Sequence, residues 1–523
     1  MSSPLYVTAH PEYALLVPGL LVFVLCCMGL CSEGRQSAIT ASRVAAGFFL
    51  SALICASAML MTGPSHFSLA QVGPFSLSFR MDALSAIMGV LISFLGLIVT
   101  RYSVNYLDGD VRQASFSRWL CATVGSALLL VVSGNLVQFA LFWFSTSLCL
   151  HQLLIFQPDR SAGMRAAKQK FFISRCSEIC LVGAVLLTWK LFGTFEFSEL
   201  FAKAELHQGK MELHLLCGFL AVAALMRSAQ FPFHTWLPDT MDTPTPVSAL
   251  MHAGIINAGG FLIVRMSPLM VMSTPTLNIL ALTGAFTAIF AGVVMMTQTS
   301  IKRSLAWSTI SQMGFMMLQC GLGAFVLAVL HIVAHSLYKA HAFLSSGSIV
   351  SRSRSGWVPT GRPAARVAVL VFSLAASALV GLGVWAIFGI QLEGNSGLIL
   401  LSSIFMMAVA HLLWTLWSSS FRRSLFVWGI VITTVAAASC FGLHSIFNYL
   451  LAGSVPDYAP GRSLLEYAIM ACVGLLFMGV LVFQSQMPVW AGHQWFRRLY
   501  VQASNGFYVG AYIGRLFKKH SPQ

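Results

Sequence analysis

Three ionisable side chains recur every four residues within one apolar stretch: His331, His335 and Lys339. A four-residue step advances about 40° around an α-helix, so the three share a face and form a polar stripe. Imidazoles and an amine in a row suit stepwise proton transfer, because each group can both accept and release a proton. Two other readings of the stripe stay open, a metal pair and a set of hydrogen-bonded core residues. No carboxylate or cysteine lies nearby in sequence to complete a metal site. His252, in a second apolar stretch, poses the same choice. Arg227 closes a third stretch, and Pro232 soon after it cannot continue a helical ladder, having no N–H and colliding with the preceding turn. At membrane depth, freed backbone groups persist only where protein or a water-filled cavity satisfies them. A break beside a buried cation is therefore a candidate lining for an ion path. The competing reading is an ordinary loop between two spans. Glu178 stands three residues beyond Arg175, on the same helical face, so it pairs either with that neighbour or with Arg227.

The elements that hold these groups are apolar helices. Among the 523 residues, 57% are hydrophobic and 9% charged, with mean hydropathy +0.79, which excludes a soluble globule with an ordinary charged surface. Stretches near the spanning length fall at about 13–31, 42–62, 82–100, 117–133, 136–156, 172–190, 212–231, 246–265, 277–297, 304–322, 324–349, 366–390, 397–417, 424–445 and 464–485. The expectation is an all-α polytopic membrane protein of about 15 transmembrane helices, at least one of them broken. The first stretch lacks a basic leader and reads as a true span. Most of the 31 Lys and Arg residues fall in loops after odd-numbered stretches, Arg160, Arg165, Lys168 and Lys170 among them. The positive-inside rule then puts the N-terminus outside and the C-terminal tail in the cytoplasm. The formal charge of +15 is thus a topology signal, and nucleic-acid binding is not expected. The 12 cysteines are scattered through apolar stretches without zinc-ligand spacing, so no metal or cofactor is expected in this chain.

Several segments together resemble the antiporter-like, proton-translocating subunits of respiratory complex I and the Mrp antiporters. They are Arg80-Met-Asp-Ala-Leu-Ser, the run from Arg227 through Pro232 to His252, Ile301-Lys-Arg-Ser-Leu-Ala-Trp-Ser, and the stripe from His331 to Lys339. The resemblance implies antiporter-like inverted repeats. On that basis the chain divides into N-terminal helices (1–110), a first repeat (111–268), a diverged second repeat (269–420), C-terminal helices (421–487) and an amphipathic tail (488–523). It also implies a proton or cation pathway through Lys339, His335, His331 and His252, with Arg227 and Glu178 as a charge element beside it. The departures are specific. Phe144 stands where pumping relatives carry a glutamate, and Arg227 stands where they carry a lysine. Arginine keeps its proton at any physiological pH. In the second half, Gly381-Leu-Gly-Val-Trp lacks the expected prolines, and Gln391 takes the place of a lysine.

The tail, with Trp495, Arg497, Arg498, Tyr500, Asn505, Phe507 and Tyr508, resembles that of the membrane subunit of Dab-type inorganic-carbon accumulation complexes. This resemblance implies a bacterial inner-membrane location and docking by those tail residues. The partner it implies is a cytoplasmic, DabA-like zinc protein similar to β-carbonic anhydrase, with the chemistry there rather than here. A helix lying on the lipid surface is the other reading of the tail. Three functions follow as expectations: a cation-conducting subunit, with the proton as the cation the resemblance implies, powering CO2 and bicarbonate accumulation; a pumping subunit of a complex I or Mrp assembly; or a non-conducting anchor for a soluble enzyme.

Overall fold

The computed structural model describes residues 34–159, 161–347, 367–389, 396–419, 423–456 and 463–518. The first expected span (13–31), Gln391 and the basic loop at 350–366 lie outside them. In chain order the elements begin with α1 (Arg35–Thr62), β1 (Ser65–Val72), β2 (Phe75–Met81), α2 (Ala83–Tyr106), α3 (Gln113–Val131), α4 (Leu136–Leu154), α5 (Ser161–Phe192), α6 (Phe197–Lys203) and α7 (Met211–Arg227). The middle holds α8 (Trp236–Asp239), α9 (Thr245–Ala253), α10 (Ala258–Arg265), α11 (Ser267–Met270), α12 (Thr274–Met295), α13 (Ile301–Gly321) and α14 (Phe325–Leu344). The chain ends in α15 (Val367–Phe388), α16 (Ser396–Ser419), α17 (Arg423–Leu451), α18 (Leu464–Trp490), α19 (Gln494–Ser504) and α20 (Val509–Lys518). Among the described residues, 12 helices are long and apolar enough to cross a membrane. Helices also form at 211–227 and 301–321, the first shorter and the second less apolar than a clear span.

Contacts divide the chain into two units that interleave in sequence. The first comprises Met1–Arg227, Asp239–Gly259 and Val333–Leu344; the second comprises Ser228–Pro238, Gly260–Ile332 and Ser345–Gln523.

In the first unit a two-stranded hairpin precedes α2, a feature that a search for spanning stretches does not reveal. Its strands pair antiparallel, with Ser65 opposite Met81, and Gly73 takes φ +61° in the two-residue turn between them. Asp82 starts α2 by accepting from the Ser85 amide at 2.9 Å, while its other oxygen takes Arg80 Nε at 2.8 Å. The hairpin is fastened at Glu196. Ser78 Oγ donates to its carboxylate at 2.9 Å, Ser76 Oγ donates to it as well, and His66 Nε2 lies 3.0 Å away. Asn135 caps α4, taking the Gln138 amide at 2.7 Å, and donates to the Ser76 carbonyl at 2.8 Å. Burial alone raises the Glu196 carboxyl, but the bonds from His66, Ser76 and Ser78 outweigh it, so its pKa lies below the usual carboxylate range. A depressed folded pKa gives stability that is complete above the unfolded value of about 4.3 and lost as pH falls through the folded value. Amide protection factors across residues 65–81 are therefore expected to fall on acidification through that window. In Glu196→Gln they start lower and stay flat, and identical profiles for the two proteins would exclude the carboxylate as the fastener.

In the second unit, α12 and α13 pack antiparallel at backbone contact. A Cβ on Gly284 would stand 2.4 Å from the Leu318 amide, one on Gly314 2.5 Å from the Ala288 amide, and one on Gly321 2.3 Å from the Ala281 amide. Small residues permit this approach in lipid, where helix association rests on close packing. Ala281, Ala285 and Leu318 continue into a core with Leu401, Ile404 and Val473 from α16 and α18. Helix α15 runs unbroken, as the missing prolines imply. An apolar cavity of about 320 Å³ lies beside it, lined by residues that include Ser377, Gly381, Trp385 and Met406.

Candidate functional site

In the first unit, α4, α5 and α7 bring four charges together. Helix α5 starts at Ser161, so Lys170 is part of a helix and not of a loop, which corrects the sequence expectation. Its buried stripe, Ala167, Lys170, Ser174, Ser177, Leu181 and Ala184, recurs every three or four residues and turns Lys170 inward, 3% exposed. Lys170 Nζ donates to the Ser147 carbonyl at 2.9 Å and reaches Ser147 Oγ at 3.1 Å. Arg175 Nη2 lies 3.4 Å from the same hydroxyl and 2.7 Å from Glu178 Oε1. One hydroxyl thus links the two cations, and Arg175 carries the contact on to the carboxylate.

Glu178 is thus the ion-pair partner of Arg175 and not of Arg227. The i,i+3 spacing wins because both groups ride one helix and need no approach between helices. Arg227, 6% exposed, has its guanidinium 5.0 Å from the Trp143 ring centroid. None of its three side-chain nitrogens has a hydrogen-bond partner among the described residues. It lies within Coulombic range of Glu178, Arg175 and Lys170. Phe144, at the place of the relatives' acid, faces Arg175 at 4.5 Å from ring centroid to guanidinium carbon. An aromatic face thus stands against the cation where an acid would pair with it. Lys170, Ser147 and Trp143 were missed in the sequence. The signal was the inward stripe of α5, hidden because four cations between 160 and 170 look like a loop.

The stripe on α14 is where the spacing puts it. Within the first unit, Lys339 is wholly buried, and His335 Nε2 lies 3.3 Å from the His252 carbonyl. The His252 ring stacks on Phe343 at 4.4 Å and lies within Coulombic range of Lys339. Neither His252 ring nitrogen has a hydrogen-bond partner among the described residues. The His252 ring therefore makes no direct hydrogen bond to the His335 or Lys339 side chain. The stretch read as one span at 246–265 is interrupted: α9 stops at Ala253 and a short 3-10 turn, Ile255–Asn257, leads into α10. Asn257 Nδ2 holds the interruption by donating to the Ala253 carbonyl and to Ser336 Oγ, both at 2.8 Å. His252 is the penultimate residue of α9, just before it. In the second unit, His331 Nδ1 lies 2.9 Å from Gln319 Oε1.

The segment carrying Pro232 belongs to the second unit and is not helical until Trp236. Here Phe231 and His234 stack at 5.6 Å, and Phe290 stands 5.5 Å from Phe231 and 5.3 Å from His234. The tail reaches this cluster. Phe507 packs on Phe290 at 5.5 Å, and a Cβ on Gly506 would stand 3.2 Å from the Trp307 ring. Tyr500 Oη lies 3.5 Å from the Thr297 carbonyl, and Asn505 Nδ2 donates back to Val501. Of the residues expected to dock a partner, Phe507 is thus held by its own chain. Trp495, Arg497, Arg498 and Tyr508 are exposed.

The family described as NADH:quinone oxidoreductase/Mrp antiporter, TM, matches residues 133–426. That described as NADH-Ubiquinone oxidoreductase (complex I), chain 5 N-terminus, matches residues 69–117. The probable inorganic carbon transporter subunit DabB2 of Halothiobacillus neapolitanus is 37% identical over 456 residues, 87% of this chain and 82% of that protein. The chain belongs to the DabB group of the antiporter-like membrane family. The probable DabB subunit of Hydrogenovibrio crunogenus is 42% identical over 275 residues, about half of each chain at 52% and 53%. The Mrp complex from Dietzia sp. DQ12-45-1b shares the fold, with TM-score 0.66 and 21% identity over 98% of this chain and 60% of that one. Membership makes the chain a multi-pass membrane subunit of a transporter family.

Proposed function

We propose that this chain is the cation-conducting membrane subunit of an inorganic carbon accumulation complex, with the proton as the cation. The match to DabB2 over most of both chains carries this reading. The Lys339, His335 and His252 group and the Lys170, Glu178 and Arg227 group supply buried sites at which a moving charge can be held. Intramembrane ionisable side chains are costly to bury and mark ion pathways and proton relays. The energy of cation entry would be used by a separate cytoplasmic zinc protein similar to β-carbonic anhydrase, docked on the exposed tail residues. That protein would make CO2 hydration effectively one-way. The chain would lie in a bacterial inner membrane with its N-terminus periplasmic and its C-terminus cytoplasmic.

The test is affinity purification of the tagged full-length chain from its native membranes. A soluble zinc-containing protein that hydrates CO2 is expected to co-purify, and it should be lost when residues after Trp490 are removed. Recovery of quinone-reductase or multi-subunit antiporter components would assign the chain to a respiratory or Mrp-type assembly. A partner that stays bound to the truncated chain would move the docking surface to the loops.

A further inference from the structure

We propose that Lys170, Ser147 and Glu178 form the protonation switch of the first unit, replacing the titratable lysine that Arg227 cannot supply. The inference rests on the cation-conducting reading above and names the group that exchanges the proton.

The argument begins with charge. Arg175 and Arg227 are permanent cations, and Glu178 balances one of them. Lys170 is the remaining charged group of the cluster and the only cation in it able to shed a proton. It is buried deeper than either partner of the Arg175–Glu178 pair. The groups facing it are Ser147, Cys149 and His151 from α4, Arg175 and Glu178 on its own helix, and Arg227 from α7. Two of these are fixed cations and one is an acid, so protonated Lys170 stands against an excess of like charge.

The route lies in the hydrogen bonds. Ser147 Oγ stands 3.1 Å from Lys170 Nζ and 3.4 Å from Arg175 Nη2, which holds Glu178 Oε1 at 2.7 Å, so the hydroxyl and the carboxylate meet on the same guanidinium nitrogen. A hydroxyl accepts and donates at once. Protonated Lys170 gives an N–H proton to Ser147 Oγ while the Ser147 O–H proton passes to a Glu178 carboxylate oxygen. One N–H bond breaks, one O–H bond forms at Glu178, and Ser147 is left a hydroxyl. The cluster's total charge is unchanged by this internal step. Release of the proton from Glu178 and capture of a new one by the Lys170 amine complete the exchange. Arg175 and Arg227 stay charged throughout.

Two measurements on the full-length chain with its native partners, in lipid nanodiscs and proteoliposomes, test this. In nitrogen NMR of lysine-labelled protein at about pH 8, an amine-form Nζ signal is expected that disappears in Lys170→Arg, since a free lysine is almost wholly ammonium there. An ammonium signal for Lys170 at every pH up to about 10 would overturn the proposal. In proteoliposomes under an imposed potential, Lys170→Arg and Ser147→Ala are each expected to slow proton flux about a hundredfold. Ser147→Thr, which keeps the hydroxyl, should retain most of it. Native flux in folded Lys170→Arg would equally sink the switch. If the wild-type complex moves no protons, the function reading has failed, and the NMR result still decides whether Lys170 exchanges a proton.

Discussion

Lys339→Met and Lys339→Arg are both expected to abolish growth at ambient CO2, while the protein remains at normal levels in the membrane and elevated CO2 restores growth. Lys339 is wholly buried on α14, one turn from His335 and within Coulombic range of His252. Methionine keeps the apolar stem that such a side chain packs along its length and removes only the amine. Arginine keeps the charge and loses the ability to release it. A group needed merely as a positive charge would tolerate arginine, and one needed merely for packing would tolerate methionine. Failure of both isolates proton exchange as the requirement, with a loss of about a hundredfold in flux where a relay group is removed. Normal growth of either variant at native protein level would remove Lys339 from the path.

How much of this was legible depends on where each constraint sits in the chain. The stripe of His331, His335 and Lys339 is fixed by local geometry, because a four-residue interval on a helix needs no tertiary knowledge to be read as one face. Pro232 is similar, since its ring forbids a ladder wherever it stands. The interruption at Gly254 carries no such mark. It is held by Asn257 reaching Ser336, 79 residues away in sequence, and an uninterrupted apolar run conceals it. The hairpin at 65–81 was hidden for the same reason, for its fastener Glu196 lies over a hundred residues away. Lys170 failed differently. Its inward stripe is present, but beside Arg160, Arg165 and Lys168 it reads as one more cytoplasmic loop charge. Positive-inside reasoning assumes that basic residues at a helix end face water, and α5 shows one of them turned into the unit instead.

Arg227→Met is expected to leave the protein as stable as the wild type, or more so, while function is lost, and Arg227→Lys is expected to keep part of the activity. A cation at the centre of a spanning helix costs about 3 kcal/mol on insertion scales, an upper bound for Arg227 at the end of α7. The Trp143 face returns about 2 kcal/mol at most when desolvated, and no hydrogen bond to a described residue adds to it. Glu178 contributes through its field, shared with Arg175 at 2.7 Å. The charge is therefore incompletely compensated, and removing it relieves the fold. Replacing buried charges by apolar groups of similar size is often neutral or stabilising for this reason. What methionine removes is the fixed field on Lys170 and Glu178, and with it the bias that the exchange requires. Lysine restores a positive charge at the same place but not a permanent one, so its activity should decline as pH rises, whereas the wild type, with arginine, should show no such decline from this position. Thermal unfolding and proton flux measured on the same preparations separate the two roles. A fall in melting temperature that parallels the loss of flux in Arg227→Met would make Arg227 a structural residue, held by Trp143 for packing alone.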